Sequence, residues 1–353
     1  MHHEVITSEM SDLLLRFDAG GLGDNFGLVG GTNLALRFGH RISHDLDFFS
    51  TGAESELPDQ RAIINLVDGI YPVTATLCQS DQVWYSVGHT NVTFLQYPFS
   101  FADTPLDRTH ETSGMPMVSI LDVAATKAST IGRRAAARDY ADLWVVIRNE
   151  ISLKDIVQRA EMMFNTAGEK NFSPKLFVKQ LTYYDDLDAT DVAALDEQLR
   201  HNTSWNEIVE GIEAVVYDYV HAAVEPQTHK SFHGKYGTMK LPDHLAPLFW
   251  NNKFDAMDTD ANANTIIERI LLFGEIDDWQ WLWRCYGEDR IRLWVAENID
   301  TTLVYFDKDR VFWAAILLNK TLAPTPPKER WKSTRMVNAK PLKSAPGFDH
   351  ICQ

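Results

Sequence analysis

The chain has 353 residues, a formal net charge of −16 and 45% hydrophobic residues, which is typical of a globular protein of about two domains. Its acidity argues against general nucleic-acid binding, which depends on Lys and Arg side chains that neutralise phosphates. No apolar stretch reaches the roughly 18 residues that span a bilayer, and the N-terminus lacks an export pattern. Three cysteines at unrelated spacings (Cys78, Cys285 and Cys352) fit a reducing compartment. We therefore expect a cytoplasmic protein with no membrane partner.

The first part of the chain has the pattern of a mixed α/β unit. A helix is predicted over 9–18, a strand over 26–29 and a second helix from Gly30 to Phe38. The elements predicted next are a strand over 46–49, a helix over 58–69 and strands over 73–78, 83–87 and 91–97. Helices dominate the remainder, which indicates the α+β class.

The helical part begins with a capping pattern. Ser119 is followed three residues later by Asp122, which is typical of a helix N-terminus. The further helices predicted before residue 225 cover 153–164, 174–181 and 205–223.

Tryptophan content divides the chain, because seven of the ten Trp residues follow Leu241. A polar stretch interrupted by Gly and Pro precedes that point. We predict a first domain over 1–225, a linker over 226–242 and a small acidic helical domain over 243–318. A basic, proline-rich flexible tail over 319–353 follows, with seven Lys and Arg against two acids.

The stretch around Gly30 carries the chemistry. Gly30 and Gly31 follow a strand and allow a phosphate to approach the backbone, and the next helix supplies free N–H groups. Asp45 and Asp47 share one face of the next strand, because alternate strand residues point to the same side. Two carboxylates beside a triphosphate suit Mg²⁺. This combination favours a nucleotide site over an ordinary turn and an edge strand with solvated acids.

Gly-Gly-Thr at 30–32, His-Arg-Ile-Ser at 40–43 and Asp-Leu-Asp-Phe-Phe at 45–49 resemble the signature of the AbiEii toxin family of polymerase-β-like nucleotidyltransferases. The helix with Lys127, Arg-Asp-Tyr-Ala-Asp-Leu at 138–143 and Leu-Thr-Tyr-Tyr-Asp-Asp at 181–186 extend the resemblance over about residues 1–225. It implies a polymerase-β-like core with a helical second half, to which a small all-α domain is appended. Residues 248–250, 266–274 and 279–287 resemble a small helical domain of unassigned function.

The resemblance implies roles for individual residues. The residues implied to be catalytic are Asp45, Asp47 and Lys127, of which the two aspartates would bind two Mg²⁺ ions. The residues implied to contact the nucleotide are Gly30, Gly31, Thr32, Arg41, Ser43 and Lys127. The residues implied to contact the RNA acceptor or to anchor one another are Arg133, Arg134, Arg138, Asp139 and Asp142.

Several details stay open at this level. On a straight helix Arg134 and Arg138 would lie in line with Lys127. Arg41 would either pair with Asp45 or touch the nucleotide. The strand where related enzymes carry a third carboxylate offers Asn91 or Thr93 instead, so no general base is assigned.

The expected function is transfer of a nucleoside monophosphate from an NTP to RNA, with the tRNA 3′ end favoured, in a toxin–antitoxin or phage-defence setting. One alternative is a nucleotide-binding protein with little or no turnover, restrained by an antitoxin or by its own residues 243–318 docked on the basic residues. Another is a nucleotidyltransferase for a protein or small molecule. A zinc enzyme is disfavoured, because His40 and His44 lack a third ligand nearby.

Overall fold

The structure is a computed structural model that describes residues 1–52, 55–101, 114–131, 133–149, 151–221 and 241–322. The elements up to residue 95 are α1 (Ser8–Ala19), β1 (Phe26–Leu28), α2 (Gly30–Phe38), β2 (Asp45–Ser50), α3 (Gln60–Leu66), β3 (Val73–Cys78), β4 (Gln82–Val87) and β5 (Thr90–Leu95). This order confirms the mixed pattern expected for the first part of the chain.

Five strands form one sheet in the order β1-β2-β5-β4-β3. Strands β2 and β5 are parallel, whereas the other neighbouring pairs are antiparallel. In the β2–β5 register Asp45 lies opposite Asn91 and Asp47 lies opposite Thr93. Strand β2, which carries the two acids, therefore lies inside the sheet, between the edge strand β1 and β5.

The two faces of the sheet differ in polarity. Along β2, Leu46 and Phe48 are fully buried, while Asp45 and Asp47 point to the opposite face. On the buried face the Phe48 and Phe94 rings stack with centroids 5.0 Å apart, and Phe17 of α1 packs edge-on against Phe48. This core fixes the register, because a slip of one residue would bury the two carboxylates.

The second half of the first domain is helical. Its elements are α4 (Ile120–Ile131), α5 (Ala137–Asn149), α6 (Leu153–Phe164), β6 (Asn165–Thr166), β7 (Glu169–Lys170), α7 (Pro174–Gln180), α8 (Ala189–Gln198) and α9 (Trp205–His221). The start of α4 is capped as predicted, since the Ser119 hydroxyl accepts a hydrogen bond from the Asp122 backbone N–H at 3.1 Å. Helix α8 and the hairpin of β6 and β7 were not predicted from the sequence.

The C-terminal module consists of α10 (Ala263–Phe273), α11 (Ile276–Tyr286), α12 (Glu288–Asn298) and α13 (Asp307–Leu318), preceded by a 3₁₀ helix over Asp243–Phe249. Trp279 and Trp313 are fully buried, with ring centroids 4.9 Å apart. An all-α module is thus confirmed. The predicted linker and tail lie largely outside the described residues.

The module packs on α7 and α9, and both parts contribute to one continuous hydrophobic cluster. Lys179 of α7 forms a buried ion pair with Asp309 of α13. Tyr217 of α9 donates a hydrogen bond to Glu288 at 2.9 Å. In the described part of the chain these contacts hold the module in place, whereas Arg134 and Arg138 pair with Asp139 and Asp45 of the first domain. The predicted docking of its acids on those arginines is therefore corrected.

The helix that begins after Ser119 does not run straight to Arg138, so the open question of its alignment with Lys127 is settled against a single helix. Helix α4 ends at Ile131 and α5 begins at Ala137, so Lys127 and Arg138 lie on different helices. Gly132 and the basic residues after it interrupt the apolar periodicity, and a new core-facing stripe starts at Ala137. Among the described residues, no helix is both long and apolar enough to cross a membrane.

Candidate functional site

The two carboxylates of β2 form the acidic centre of the site. Asp45 accepts a hydrogen bond from Asn91 Nδ2 at 3.1 Å and pairs with Arg138 Nη1 at 3.3 Å. Burial, and then the negative charge of Asp45, raise the pKa of Asp47 above its usual value. A cation beside the pair would offset both effects, so the donor set fits a hard divalent ion.

Backbone geometry explains the two glycines. Gly30 adopts a left-handed conformation with φ +68°, and a Cβ atom there would lie 2.7 Å from Asp47 Oδ2. A Cβ atom on Gly31 would lie 1.9 Å from Arg41 Nη2. Since any side chain would displace Asp47 or Arg41, both positions require glycine. The first turn of α2 consequently starts directly beside the acidic pair.

Thr32 and Ser43 hold the start of α2 against β2. Their hydroxyl oxygens lie 2.7 Å apart, and the Thr32 hydroxyl also donates to the backbone carbonyl of Asp45. Both residues are buried, with only 2% and 4% of their surfaces exposed. With both side chains bonded within the protein, the groups that this turn can present to a phosphate are backbone N–H groups.

A buried network of charges lies beneath the acidic pair. The Lys127 ammonium contacts carboxylate oxygens of Asp139 and Asp142, each at 2.7 Å. Arg41 donates two hydrogen bonds to Asp142, from Nε at 2.7 Å and from Nη2 at 3.0 Å. Arg134 donates from Nε to Asp139 at 3.0 Å. The network thus joins the α2–β2 connection, α4 and α5 through paired charges.

The charges within this network determine the protonation of its members. Burial opposes ionisation of Asp142, but Arg41 and Lys127 hold the pKa of its carboxyl well below the usual range. Burial also opposes the charge of Lys127, yet Asp139 and Asp142 raise its pKa above the ordinary value. Burial lowers the pKa of His40, although its Nε2 atom contacts Asp142 Oδ1 at 2.8 Å. At neutral pH the lysine and both aspartates are therefore charged.

These contacts change two expectations. Arg41 pairs with Asp142 and not with Asp45, because the close approach at Gly31 directs its guanidinium toward α5. Lys127 is only 6% exposed and lies between two carboxylates, so it is not a free charge at the surface. Its direct contact with a triphosphate stays a prediction.

Three arginines stand at the opening of the site. The side chains of Arg134 and Arg138 are about half exposed, and Arg133 is exposed. Arg138 reaches Asp45 from α5, and the charges of Arg134 and Arg138 both act on Asp47. A phosphate near the acidic pair would thus meet mobile positive side chains from the α4–α5 connection.

The strand next to β2 carries neutral residues at the corresponding positions. Asn91 and Thr93 of β5 face Asp45 and Asp47 in register. Within the described residues, no group of three or more His, Cys, Asp or Glu side chains is arranged to hold a metal ion. Asp45 and Asp47 would thus hold a metal together with oxygens of the substrate, as Mg²⁺ sites in nucleotide enzymes commonly do.

Two residues whose contacts hold the site together, and one exposed aromatic residue near it, were not predicted from the sequence. His40 bonds to Asp142, and the Asn33 side chain donates to the carbonyls of Leu28 and Val118 at 2.8 and 3.0 Å, tying α2 to the sheet. Trp84 lies on the polar face of the sheet, two strands from the acidic pair. The alternation in β4 could have indicated it, because Trp84 occupies a solvent-facing position between buried neighbours.

A cavity of about 740 Å³ opens elsewhere, between α6, the β6–β7 hairpin and α11. Its lining carries both signs of charge, from Lys154 and Lys170 to Glu161 and Asp277. None of the residues that line it belongs to the acidic pair or to the buried network. The cavity is therefore separate from the acidic pair and from the buried network.

Comparison with known proteins agrees with this geometry. Residues 12–108 and 88–225 match the family described as Nucleotidyl transferase AbiEii toxin, Type IV TA system, which together is more than half of the chain. Residues 245–294 match a family of unknown function, DUF6922. The uncharacterised protein aq_aa25 of Aquifex aeolicus (strain VF5) is 26% identical over 183 residues, which are 51% of this chain and 84% of that protein.

Two solved structures are also similar. JHP933 from Helicobacter pylori is 19% identical, with a TM-score of 0.42, and the match covers 64% of this chain and 97% of that one. MenT4, the nucleotidyltransferase toxin Rv2826c of Mycobacterium tuberculosis H37Rv, is 18% identical, with a TM-score of 0.39 and coverage of 59% and 81%. On the family match over residues 12–225, the chain belongs to the AbiEii family and is a nucleotidyltransferase of toxin type.

Proposed function

We propose that this enzyme transfers a nucleoside monophosphate from an NTP to RNA in a Mg²⁺-dependent reaction, with the 3′ end of tRNA as the acceptor. The observation that carries the proposal is the pair Asp45 and Asp47 on an open sheet face, directly beside the first turn of α2. This arrangement would bring a cation next to backbone N–H groups that can bind phosphate, which is what phosphoryl transfer from a triphosphate requires.

Residues at the start of α2 bind the triphosphate in this proposal. The absence of side chains at Gly30 and Gly31 lets the phosphate oxygens approach the backbone N–H groups of the first helical turn. Thr32 and Ser43 act through position, because their hydroxyls fix that turn against the backbone of Asp45. Arg41 supports the same turn from below through its pair with Asp142.

Asp45 and Asp47 hold the metal, in line with a family that typically uses a divalent ion. When bound, Mg²⁺ neutralises charge on the triphosphate and on the leaving pyrophosphate. If a cation took the place of Arg138 at Asp45, the guanidinium would be available to a phosphate oxygen. Lys127 contributes its positive charge from beneath, paired with Asp139 and Asp142.

The acceptor is proposed to be RNA because cations border the acidic pair locally, although the chain as a whole is acidic. Arg133, Arg134 and Arg138 lie on one side of the opening, where they can contact backbone phosphates. Asp139 anchors Arg134 and is itself buried. Transfer to a tRNA 3′ end would disable translation, which fits a toxin whose partner is an antitoxin and a role in phage defence.

A labelling assay tests the proposal. Purified protein is incubated with each α-³²P NTP in turn, Mg²⁺ and total RNA, and the products are separated into RNA, protein and small molecules. We expect label on RNA of tRNA size, dependent on the divalent ion. Label confined to protein or to a small molecule would replace the RNA acceptor by that class, and no label at all would contradict the proposed transfer.

The acceptor position has its own control. Periodate oxidation destroys the cis-diol of a 3′-terminal ribose and leaves internal nucleotides intact. Oxidised tRNA should therefore receive no label, whereas mock-treated tRNA should be labelled. Equal labelling of the two substrates would exclude the 3′ end. As a matched protein control, Asp45→Asn should abolish labelling and Glu197→Gln, on the exposed surface of α8, should leave it unchanged.

A further inference from the structure

The open face of the sheet continues beyond the acidic pair. Asp47 of β2 lies opposite Thr93 of β5, and Thr93 lies opposite Trp84 of β4. The side chains in this row share one face, because directly paired residues in a sheet point to the same side. At two strand spacings, the backbones of Asp47 and Trp84 are about 10 Å apart.

Trp84 is unusual for an exposed strand position. It is 45% exposed, whereas its neighbours Val83 and Tyr85 are 7% and 2% exposed and pack in the core on the other face. In the part of the chain that the structure describes, neither of the two hydrophobic clusters includes Trp84. A large aromatic surface is therefore open to solvent in line with the site.

One hydrogen bond orients the indole of Trp84, and a second one holds the backbone of the same residue. Trp84 Nε1 donates to Gln82 Oε1 at 3.1 Å, and the Thr76 hydroxyl donates to the Trp84 carbonyl at 3.2 Å. Because the ring edge is bonded along its own strand, a ring face remains free for a planar ligand. A preordered aromatic face loses little conformational freedom when it binds.

The strand order indicates which substrate this face meets. The first turn of α2, where the triphosphate would bind, follows β1 on one side of β2, and β5 and β4 lie on the other side. In phosphoryl transfer the attacking and leaving oxygens are roughly in line across the phosphorus atom. With pyrophosphate leaving on the α2 side, the acceptor approaches across β5 and β4. Trp84 lies on that approach.

The residues between Trp84 and the acids suit a nucleic acid. Asn91 and Thr93 are uncharged and smaller than the indole, so they leave room for a ribose and do not repel phosphates. A base stacked on an aromatic ring is held without regard to its hydrogen-bonding edge. The span of about 10 Å from the Trp84 backbone to Asp47 is comparable with the size of one nucleotide.

We propose that Trp84 is the stacking platform for a base near the 3′ end of the RNA acceptor. It is a positioning residue, which holds the terminal ribose so that a hydroxyl faces the phosphorus atom at Asp45 and Asp47. The inference rests on the proposed function and adds to it a binding face for the acceptor, separate from the site of the NTP.

Two variants with smaller side chains of similar size to each other separate base stacking from simple packing. Trp84→Phe keeps an aromatic face, and Trp84→Leu keeps apolar bulk without one. We expect Trp84→Leu to raise the KM for RNA about 5- to 100-fold, which corresponds to the loss of one stacked base. Trp84→Phe should stay within a few-fold of the wild type. The KM for the NTP should be unchanged in both variants.

A direct binding measurement accompanies the kinetics. Addition of acceptor RNA should quench part of the wild-type tryptophan fluorescence, and this part should be missing in Trp84→Phe. Trp250→Ala, at another exposed tryptophan on the C-terminal module, is the matched control and should change neither KM. If Trp84→Leu binds RNA as the wild type does, the inference is wrong.

Other outcomes are equally decisive. A raised KM for the NTP with an unchanged KM for RNA would assign the ring to the incoming nucleotide and overturn the acceptor role. If the wild type labels RNA but the Leu and Phe variants behave alike, the proposed function stands and the stacking face is excluded. If the wild type labels no RNA at all, the proposed function itself fails and the acceptor face falls with it.

Discussion

Two pairs of aspartates lie within one site and differ in the number of positively charged partners that they contact. Asp45 and Asp47 face the open side of the sheet, where Asp45 has one amide and one half-exposed arginine as partners. Asp139 and Asp142 are fully buried, and each contacts Lys127 and an arginine. Aspartate thus has few positively charged partners in the open pair, Asp45 and Asp47, and several in the buried pair, Asp139 and Asp142.

The difference separates function from stability. Burial, and then the nearby charge of Asp45, raise the pKa of Asp47, so its ionised form costs folding free energy that a bound cation would recover. The pairs around Asp142 hold its pKa down, so its ionised form stabilises the fold. Loss of an acid should therefore affect catalysis in the first group and folding in the second.

The largest expected effect is on transfer by the open pair. Asp45→Asn or Asp47→Asn should each lower the rate of nucleotide transfer about 10³-fold or more, because the charge that holds the metal is lost. The unfolding midpoint should be unchanged, or slightly higher for Asp47→Asn, since a repulsive charge is removed. Initial rates with labelled NTP and thermal unfolding measure the two quantities.

These variants can break the comparison. Activity near the wild-type level would show that the open acids do not hold the metal. A large fall in the unfolding midpoint would show that they are structural, as the buried acids are.

The next effect is on stability within the buried network. Asp142→Asn should lower the free energy of unfolding by about 3 kcal/mol, because Arg41 and Lys127 would lose a shared buried partner. Urea unfolding at pH 7 measures the change, with exposed Glu197→Gln as the control. A loss below about 0.5 kcal/mol would mean that the network is loosely held.

The pH dependence of the free energy of unfolding gives a second test of the role of Asp142. Since the folded-state pKa of Asp142 is depressed, its contribution is complete above the ordinary carboxyl pKa and is lost as the pH falls through the lower value. The free energy of unfolding of the wild type should therefore decrease below about pH 4 more steeply than that of Asp142→Asn. Parallel pH profiles would contradict the assignment.

Lys127→Ala tests which group the lysine belongs to. Its removal leaves Asp139 and Asp142 each short of one donor, so we expect a loss of stability of about 3 kcal/mol together with a loss of activity. A variant with unchanged stability and a selectively raised KM for NTP would instead support direct contact with the triphosphate. The first result would assign Lys127 to the buried network, and the second would assign it to the nucleotide site.

A smaller effect on transfer is expected at Gly30, which lies directly beside Asp47. Gly30→Ala should lower transfer roughly 100-fold, because the new Cβ atom would displace the Asp47 carboxylate by an ångström or so. Gly21→Ala is the matched control, since Gly21 has a similar positive φ of +83° but nothing within 4 Å of a Cβ atom. Both should lose about 1 kcal/mol of stability through backbone strain. Equal activity in the two variants would remove the argument for a close approach at Gly30.

The smallest effect concerns the arginine that touches the open pair. Arg138→Ala should change the free energy of unfolding by less than about 0.5 kcal/mol, because its pair with Asp45 is half exposed. The KM for NTP should rise several-fold, more at low salt than at high salt. A KM that does not respond to salt would indicate that Arg138 contacts no phosphate.

Local pattern was sufficient for much of the fold. Strand β3 and helix α6 have the predicted bounds, because alternation and helical periodicity are strong there. The Ser119 cap and the shared face of Asp45 and Asp47 follow from neighbours in sequence. Both features depend only on the spacing of residues along the chain, and that spacing can be read from the sequence.

Long-range pairing was not predictable in this way. Asp142 is 101 residues from Arg41, and its choice of that arginine depends on how α2 and α5 pack. Lys127 appeared available on helical periodicity, but the break after Ile131 turns α5 back and brings Asp139 and Asp142 onto it.

The shared core of the C-terminal module and the helices α7 and α9 bears on how this toxin can be controlled. A restraint that acts by being removed must be separable from the enzyme that it restrains. Removal of the module would leave Lys179 without its partner Asp309 and would expose the surface of α7 against which Trp279 packs. The module is therefore packed into the same core as the enzyme's helices α7 and α9.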